Sequence, residues 1–167
     1  LERLTIAGLV QWERGLLWCR SLKTERRMAP PEVLQSDLHD HIAQVLLTQD
    51  PPDSALAAFH LAAAPLEDRV RAHGAQCVDA LADRNPEAGA GVGMKLWAAC
   101  DEPMLGLALL TALDASGRGQ AALKLTRDDR MQAVLAQRTP QTTPLGSYVA
   151  RLSLEVESDH ERAESLL

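Results

Sequence analysis

Two groups of side chains have the types and spacing to do chemistry at a metal or a thiol. The segment "DLHDHIAQ" carries Asp37, His39, Asp40 and His41, all able to ligate a metal. On a helix, residues two apart point about 200° away from each other, so His39 and His41 cannot close on one ion, whereas Asp37 and His41, four apart, can. Two ligands on one turn leave a tetrahedral site half filled, and the other candidates, His60, His73 and Cys77, belong to other segments. The reading adopted is a solvated polar face, with no metal and no cofactor expected. His73 and Cys77 form a second pair at i, i+4, the spacing that would suit a cysteine nucleophile and its base on one helix. Cys77 also falls on an apolar stripe, where a small buried thiol is ordinary.

A third candidate is "AGAGVGMKLW" at 88–97, three glycines followed by a lysine. A phosphate loop works because backbone N–H groups, freed of side-chain bulk, point at the anion where a strand turns into a helix. Here Met94 separates Gly93 from Lys95 and Leu96 follows, so the G-x-x-x-x-G-K-[ST] pattern fails. The dinucleotide pattern fails as well, because Gly89, Gly91 and Gly93 are two apart throughout. The stretch is expected to be a helix–loop–helix connection opened by "RNPE". No G-x-S-x-G and no H-E-x-x-H occurs in the chain.

Helices must position whatever these residues do. The 167 residues are 46% apolar but hold only five aromatics, Trp12, Trp18, Phe59, Trp97 and Tyr148, so the core is built from Leu, Ala and Val. Ala and Leu favour helices, and the fold class expected is all-α, a single compact bundle of about seven or eight helices over 1–167. The periodicity predicts a long amphipathic helix over 2–27, stopped by "APP". A second follows over 32–48 with a stripe of Leu34, Leu38, Ile42, Val45 and Leu46, ended by "DPPD". Asp53 reads as the N-cap of "SALAAFHLAAA". Pro65 then separates it from "LEDRVRAHGAQCVDALADR", with Leu66, Val70, Cys77 and Leu81 as its buried stripe. Further on, "EPMLGLALLTALD" accommodates Pro103 in its first turn, "ASGRG" is a loop, and Thr126 with Asp129 resembles a capping box before 129–138. Thr143 as N-cap and Pro144 open a last helix over 144–165 with an acidic end. "FHLAAA" and "MKLWAA" recur 35 residues apart, the scale of an irregular helical-pair repeat.

Charge and cysteines bound the partners. The formal charge of −6 argues against nucleic-acid binding, which relies on Lys and Arg neutralising phosphates. Residues 1–28 carry six basic and three acidic side chains, net +3, leaving −9 for the rest. Arg20, Lys23, Arg26 and Arg27 fall near one face of the first predicted helix, and with Trp18 and Trp97 they are the candidate interaction residues. Three widely spaced cysteines, Cys19, Cys77 and Cys100, suit a reducing compartment, the cytoplasm or a host cytosol into which the protein is delivered. The longest apolar run, "MLGLALLTAL", is too short for a transmembrane segment. The chain does not begin with Met and is expected to be a domain excised from a larger protein.

"PLEDRV" at 65–70, after an Ala-rich helix, resembles the C-x-D-R-V segment in the helical catalytic domain of ubiquitin ligases injected by bacterial pathogens. In that family the motif's Cys accepts ubiquitin and the Asp assists. The resemblance carries over to Asp68, Arg69 and Val70, whereas Leu66 stands at the Cys position. It implies Asp68 as a candidate catalytic residue beside Cys77 and His73, and a ubiquitin-charged conjugating enzyme as partner. The leading reading is a helical protein–protein interaction domain. The alternative is a cysteine-independent ubiquitin ligase, and a nucleotide or metal enzyme ranks third.

Overall fold

A computed structural model describes residues 10–13, 16–19 and 32–157 of the chain. Internal contacts divide the chain into two units, residues 1–37 and 38–167. The first unit contains an antiparallel ribbon of β1 (Val10–Glu13) and β2 (Leu16–Cys19), with Val10 opposite Cys19 and Glu13 opposite Leu16. This corrects the opening helix expected over 2–27. "VQWE" and "LLWC" include Val and Trp, which favour the pleated backbone, and two residues, one of them glycine, separate them in sequence.

Eight α-helices follow among the described residues, and the fold class is all-α. They are α1 (Glu32–Thr48), α2 (Ser54–Ala63), α3 (Glu67–Ala82), α4 (Pro86–Ala99), α5 (Pro103–Ala115), α6 (Gly119–Thr126), α7 (Asp129–Leu135) and α8 (Thr143–Leu152). A π-helical turn, Ser153–Glu157, continues α8. Of the last helix expected over 144–165, the part to Leu152 is α-helical and Ser153–Glu157 is the π-helical turn, and 158–165 lies outside the described residues.

Local chemistry starts these helices. Asp53, Asn85 and Glu102 each accept a hydrogen bond from the backbone N–H three residues on, at 3.2, 3.0 and 2.7 Å, and Pro86 and Pro103 occupy the first turns of α4 and α5. The capping box expected at Thr126 and Asp129 is corrected. Asp128 caps α7 by accepting from Arg130 N at 3.0 Å, while Thr126 closes α6 with its hydroxyl donating to Leu123 O. At the end of α5, Gly117 takes φ +72°, and the bonds Arg118 N to Leu113 O and Gly117 N to Asp114 O close a Schellman turn that needs glycine there.

From α2 to α5 each helix packs on the next and on the next but one, so α2 and α4 form one layer and α3 and α5 the other. The buried faces repeat accordingly. Gly74, Cys77, Val78 and Leu81 on α3 correspond to Gly106, Leu109, Leu110 and Leu113 on α5, and Ala57, Ala58 and Leu61 on α2 to Val92, Gly93 and Leu96 on α4. Three members of the predicted stripes point outward. Leu66 is 48% exposed because it precedes α3 in extended conformation. On α1, Leu38 and Val45 are exposed, and the inward face runs through His39, Ala43 and Leu47.

The glycine stretch is the interior of α4, which corrects the loop expected there. Its glycines face in two directions. A Cβ on Gly89 would come within 2.8 Å of Ala82 Cα on α3, and one on Gly93 within 3.0 Å of Leu109 Cδ1 on α5, whereas Gly91 would meet nothing within 4 Å. Gly89 and Gly93, four apart, let α4 approach its neighbours more closely than any side chain permits. Gly91 faces solvent and carries only the entropic cost of glycine in a helix. Gly91→Ala is therefore expected to stabilise the fold by about 0.5–1 kcal/mol. Gly89→Ala should destabilise it by about 1–3 kcal/mol, because the obstacle is backbone. Urea unfolding of the two variants against the parent chain measures both signs.

Candidate functional site

Four of the polar residues singled out in the sequence, His39, Asp40, His60 and His73, lie where α1 meets α2 and α3. His39 Nδ1 lies 2.8 Å from His60 Nδ1, so one nitrogen donates while the other accepts, and the pair holds together only while one of them is unprotonated. Partial burial first, and then the His39 charge, lower the His60 pKa. Beside them Asp40 accepts from Gln44 Nε2 at 2.7 Å and pairs with Arg69 Nε at 3.3 Å, tying α1 to α3. Asp40, Gln44, Thr48, Arg69 and His73 line a cavity of about 140 Å³ over Leu61, room for a few waters and not for a cofactor. Asp37 and His41 are exposed. No group of three or more His, Cys, Asp or Glu among the described residues could hold a metal ion.

The three catalytic candidates do not converge on a nucleophile. Cys77 is fully buried in the core and its thiol is pushed up to about 12 by desolvation, far from a reactive thiolate. His73 lines the small cavity one turn away, and Asp68 is exposed in the first turn of α3. The "DRV" residues diverge, since Arg69 pairs with Asp40 while Val70 enters the core. The three glycines, whose spacing fits no phosphate loop, lie on a helix. Inside α4 their backbone N–H groups belong to the helix, as with Gly89 N donating to Asn85 O at 2.9 Å.

Trp97 is corrected from surface anchor to core. It is 3% exposed, its ring lies against Gly106, and the Arg130 guanidinium stands 5.8 Å from the ring centroid while bonding Ala98 O and Asp101. Trp18 belongs to β2. Arg20, Lys23, Arg26 and Arg27 lie outside the described residues.

A surface groove that the sequence reading passed over lies between α4, α5 and α6. It encloses about 570 Å³, with Met94, Ala121 and Leu125 as apolar lining and Arg118, Lys124 and Arg127 as cations. The Schellman turn at Gly117 places Arg118 at the start of α6, and one and a half turns of helix carry the chain on to Lys124. The available signal was the helical spacing of "GQAALKLT" with Lys124 and Arg127 three apart, in a segment to which the sequence reading assigned no element between the "ASGRG" loop and Thr126.

No family model, characterised protein or solved structure matches this chain.

The histidine contact predicts a pH effect of definite sign. His60 holds its proton less readily folded than unfolded, so its contribution to stability is complete above about pH 6.5 and is lost as pH falls towards the lowered pKa. The Asp79 carboxyl, raised by burial and then by Asp83, acts in the opposite sense nearer the carboxylate range. The melting temperature should therefore drop between pH 7.5 and 5.5, and His60→Gln should flatten that drop in thermal scans across the interval.

Proposed function

We propose that the helical unit is a protein-binding module whose first-layer helices and adjoining groove receive another polypeptide. One observation carries the reading. Leu56 and Phe59 on α2 and Met94 on α4, neighbours in one layer, stand 44, 48 and 45% exposed, although a core of Leu and Ala was available to take them. Phe59 is the chain's one phenylalanine. Exposed large apolar side chains next to polar and charged ones are the composition of an interface centre and its rim. Stacked helical pairs suit the role because the layers hold such side chains on rigid elements and leave their outer faces open.

No helix among the described residues is long and apolar enough to cross a membrane. The ligase implied by the resemblance at 65–70 would also work through such a surface, with a charged conjugating enzyme as partner. Cys77, buried and held protonated, supports no covalent version of it.

Two measurements test the proposal. Phe59→Asp and Met94→Asp should each abolish capture of a partner from an extract of the source cells while the circular dichroism and melting temperature stay near those of the parent chain. Capture that survives both substitutions would contradict the proposed surface. Incubation with ubiquitin, activating enzyme and a panel of conjugating enzymes should build no chains. Chains that persist with Cys19, Cys77 and Cys100 all replaced by Ser would make the partner a conjugating enzyme and the domain a scaffold ligase.

A further inference from the structure

We infer that the groove between α4, α5 and α6 is the docking site for an acidic segment of a partner polypeptide, whose carboxylates pair with Arg118 and Lys124 while an adjacent apolar side chain seats on Met94 and Leu125. The inference rests on the protein-binding reading and gives that partner its chemistry.

The pairing of the cations points to it. Arg69, Arg84, Arg130 and Arg151 pair with Asp40, Asp53, Asp101 and Asp114 at 3.3, 3.4, 3.1 and 3.6 Å, and Arg71 pairs with Glu67. At these five positions, then, carboxylates neutralise arginines at close range. Arg118 and Lys124 have no carboxylate partner among the described residues, and both are exposed around one groove. One acid, Asp128, also lines the groove; its carboxylate caps α7 by accepting from Arg130 N and is not paired with Arg118 or Lys124. Lys124 sits in the last turn of α6, where the helix dipole favours a cation, but Arg118 stands at the opposite end and has no such local reason for its charge.

The lining decides between kinds of anion. Met94 is 45% exposed and Leu125 half-buried, so the cations flank an apolar floor that a nucleic-acid backbone would leave uncovered. Nucleic-acid binding also draws its affinity from many phosphate contacts, which this chain of net charge −6 does not offer. A peptide with carboxylates beside Leu, Met or Phe satisfies both halves of the groove. Methionine suits such a floor because its unbranched thioether adapts to different apolar partners.

The test pans a library of random phage-displayed peptides against the full chain and measures the enriched peptides by fluorescence anisotropy. Enriched sequences should combine two or more Asp or Glu with a neighbouring Leu, Met or Phe. Their affinity should fall by about tenfold between low salt and a few hundred millimolar. R118E/K124E should weaken binding by at least about tenfold and R118Q/K124Q by less. Arg84→Glu, a charge reversal outside the groove, should change it by less than about twofold. All these positions are exposed, and unchanged circular dichroism and melting temperature confirm folding. Enriched peptides without acidic residues, or acidic ones indifferent to R118E/K124E, would overturn this inference and leave the protein-binding reading standing on another surface. A library that enriches nothing, whether or not phosphatidylserine vesicles bind, would overturn both.

Discussion

The rest of the helical unit depends on how closely α4 can lie against its neighbours. Gly89 faces the last residue of α3 at a distance that leaves no room for a methyl group, and Gly93 admits the Leu109 side chain of α5. Close-packed interiors do not tolerate a shift at one such contact without shifts in the next. With α4 drawn in, Leu96 and Trp97 become core, Gly106 makes space for the indole, and Arg130 on α7 can reach Trp97, Ala98 and Asp101 together. The same approach fixes which residues of α4 remain outside, namely Glu87, Gly91, Met94, Lys95 and Ala98. The exposed methionine of the groove is therefore a consequence of where the glycines are.

Electrostatics completes the division between what holds the fold and what is left for a partner. Asp114 illustrates the first use. It accepts from the Tyr148 hydroxyl at 2.9 Å and pairs with Arg151, whose guanidinium lies 4.6 Å from the Tyr148 ring centroid, so one carboxylate fastens α8 to α5. Burial first, then the bond to Asp114, raises the Tyr148 pKa and keeps that hydroxyl a donor. Exposed pairs of this kind add little to stability singly, and their effect is to fix register between helices. Arg118 and Lys124 join no such pair among the described residues, which leaves their charge available at the surface.

Much of this was legible in the sequence wherever the deciding interaction is local. Proline and acidic caps set the bounds of α1 and the starts of α2 and α5, and the apolar period of α3 placed Val70, Cys77 and Leu81 correctly. Elements chosen by distant contacts were not legible. By propensity three glycines in five residues read as a turn, yet Gly89 and Gly93 are selected by Ala82 and Leu109, far off in the sequence or on another helix. Their spacing of four was the one local sign of a helical face. On α1 the apolar stripe was only partly right, since Leu46 packs on the core but Leu38 and Val45 face out; the helix also packs through His39, Asp40 and Ala43, and polar residues meeting polar partners leave no hydrophobic signature. The His39–His60 contact joins residues 21 apart and could not be read from either segment alone. Trp97 shows the converse error, an aromatic taken for an anchor when a glycine on the next helix gives it a place inside.

The central claim, that the glycine stretch is a buried helix drawn between α3 and α5, is tested most directly by amide hydrogen exchange across residues 86–99. A helix in that position predicts slow exchange from Ala90 to Ala99, with protection close to that of α3 and α5 and governed by global unfolding. Exchange from Ala90 to Lys95 as fast as in an open loop, while α3 and α5 stay protected, would contradict the account.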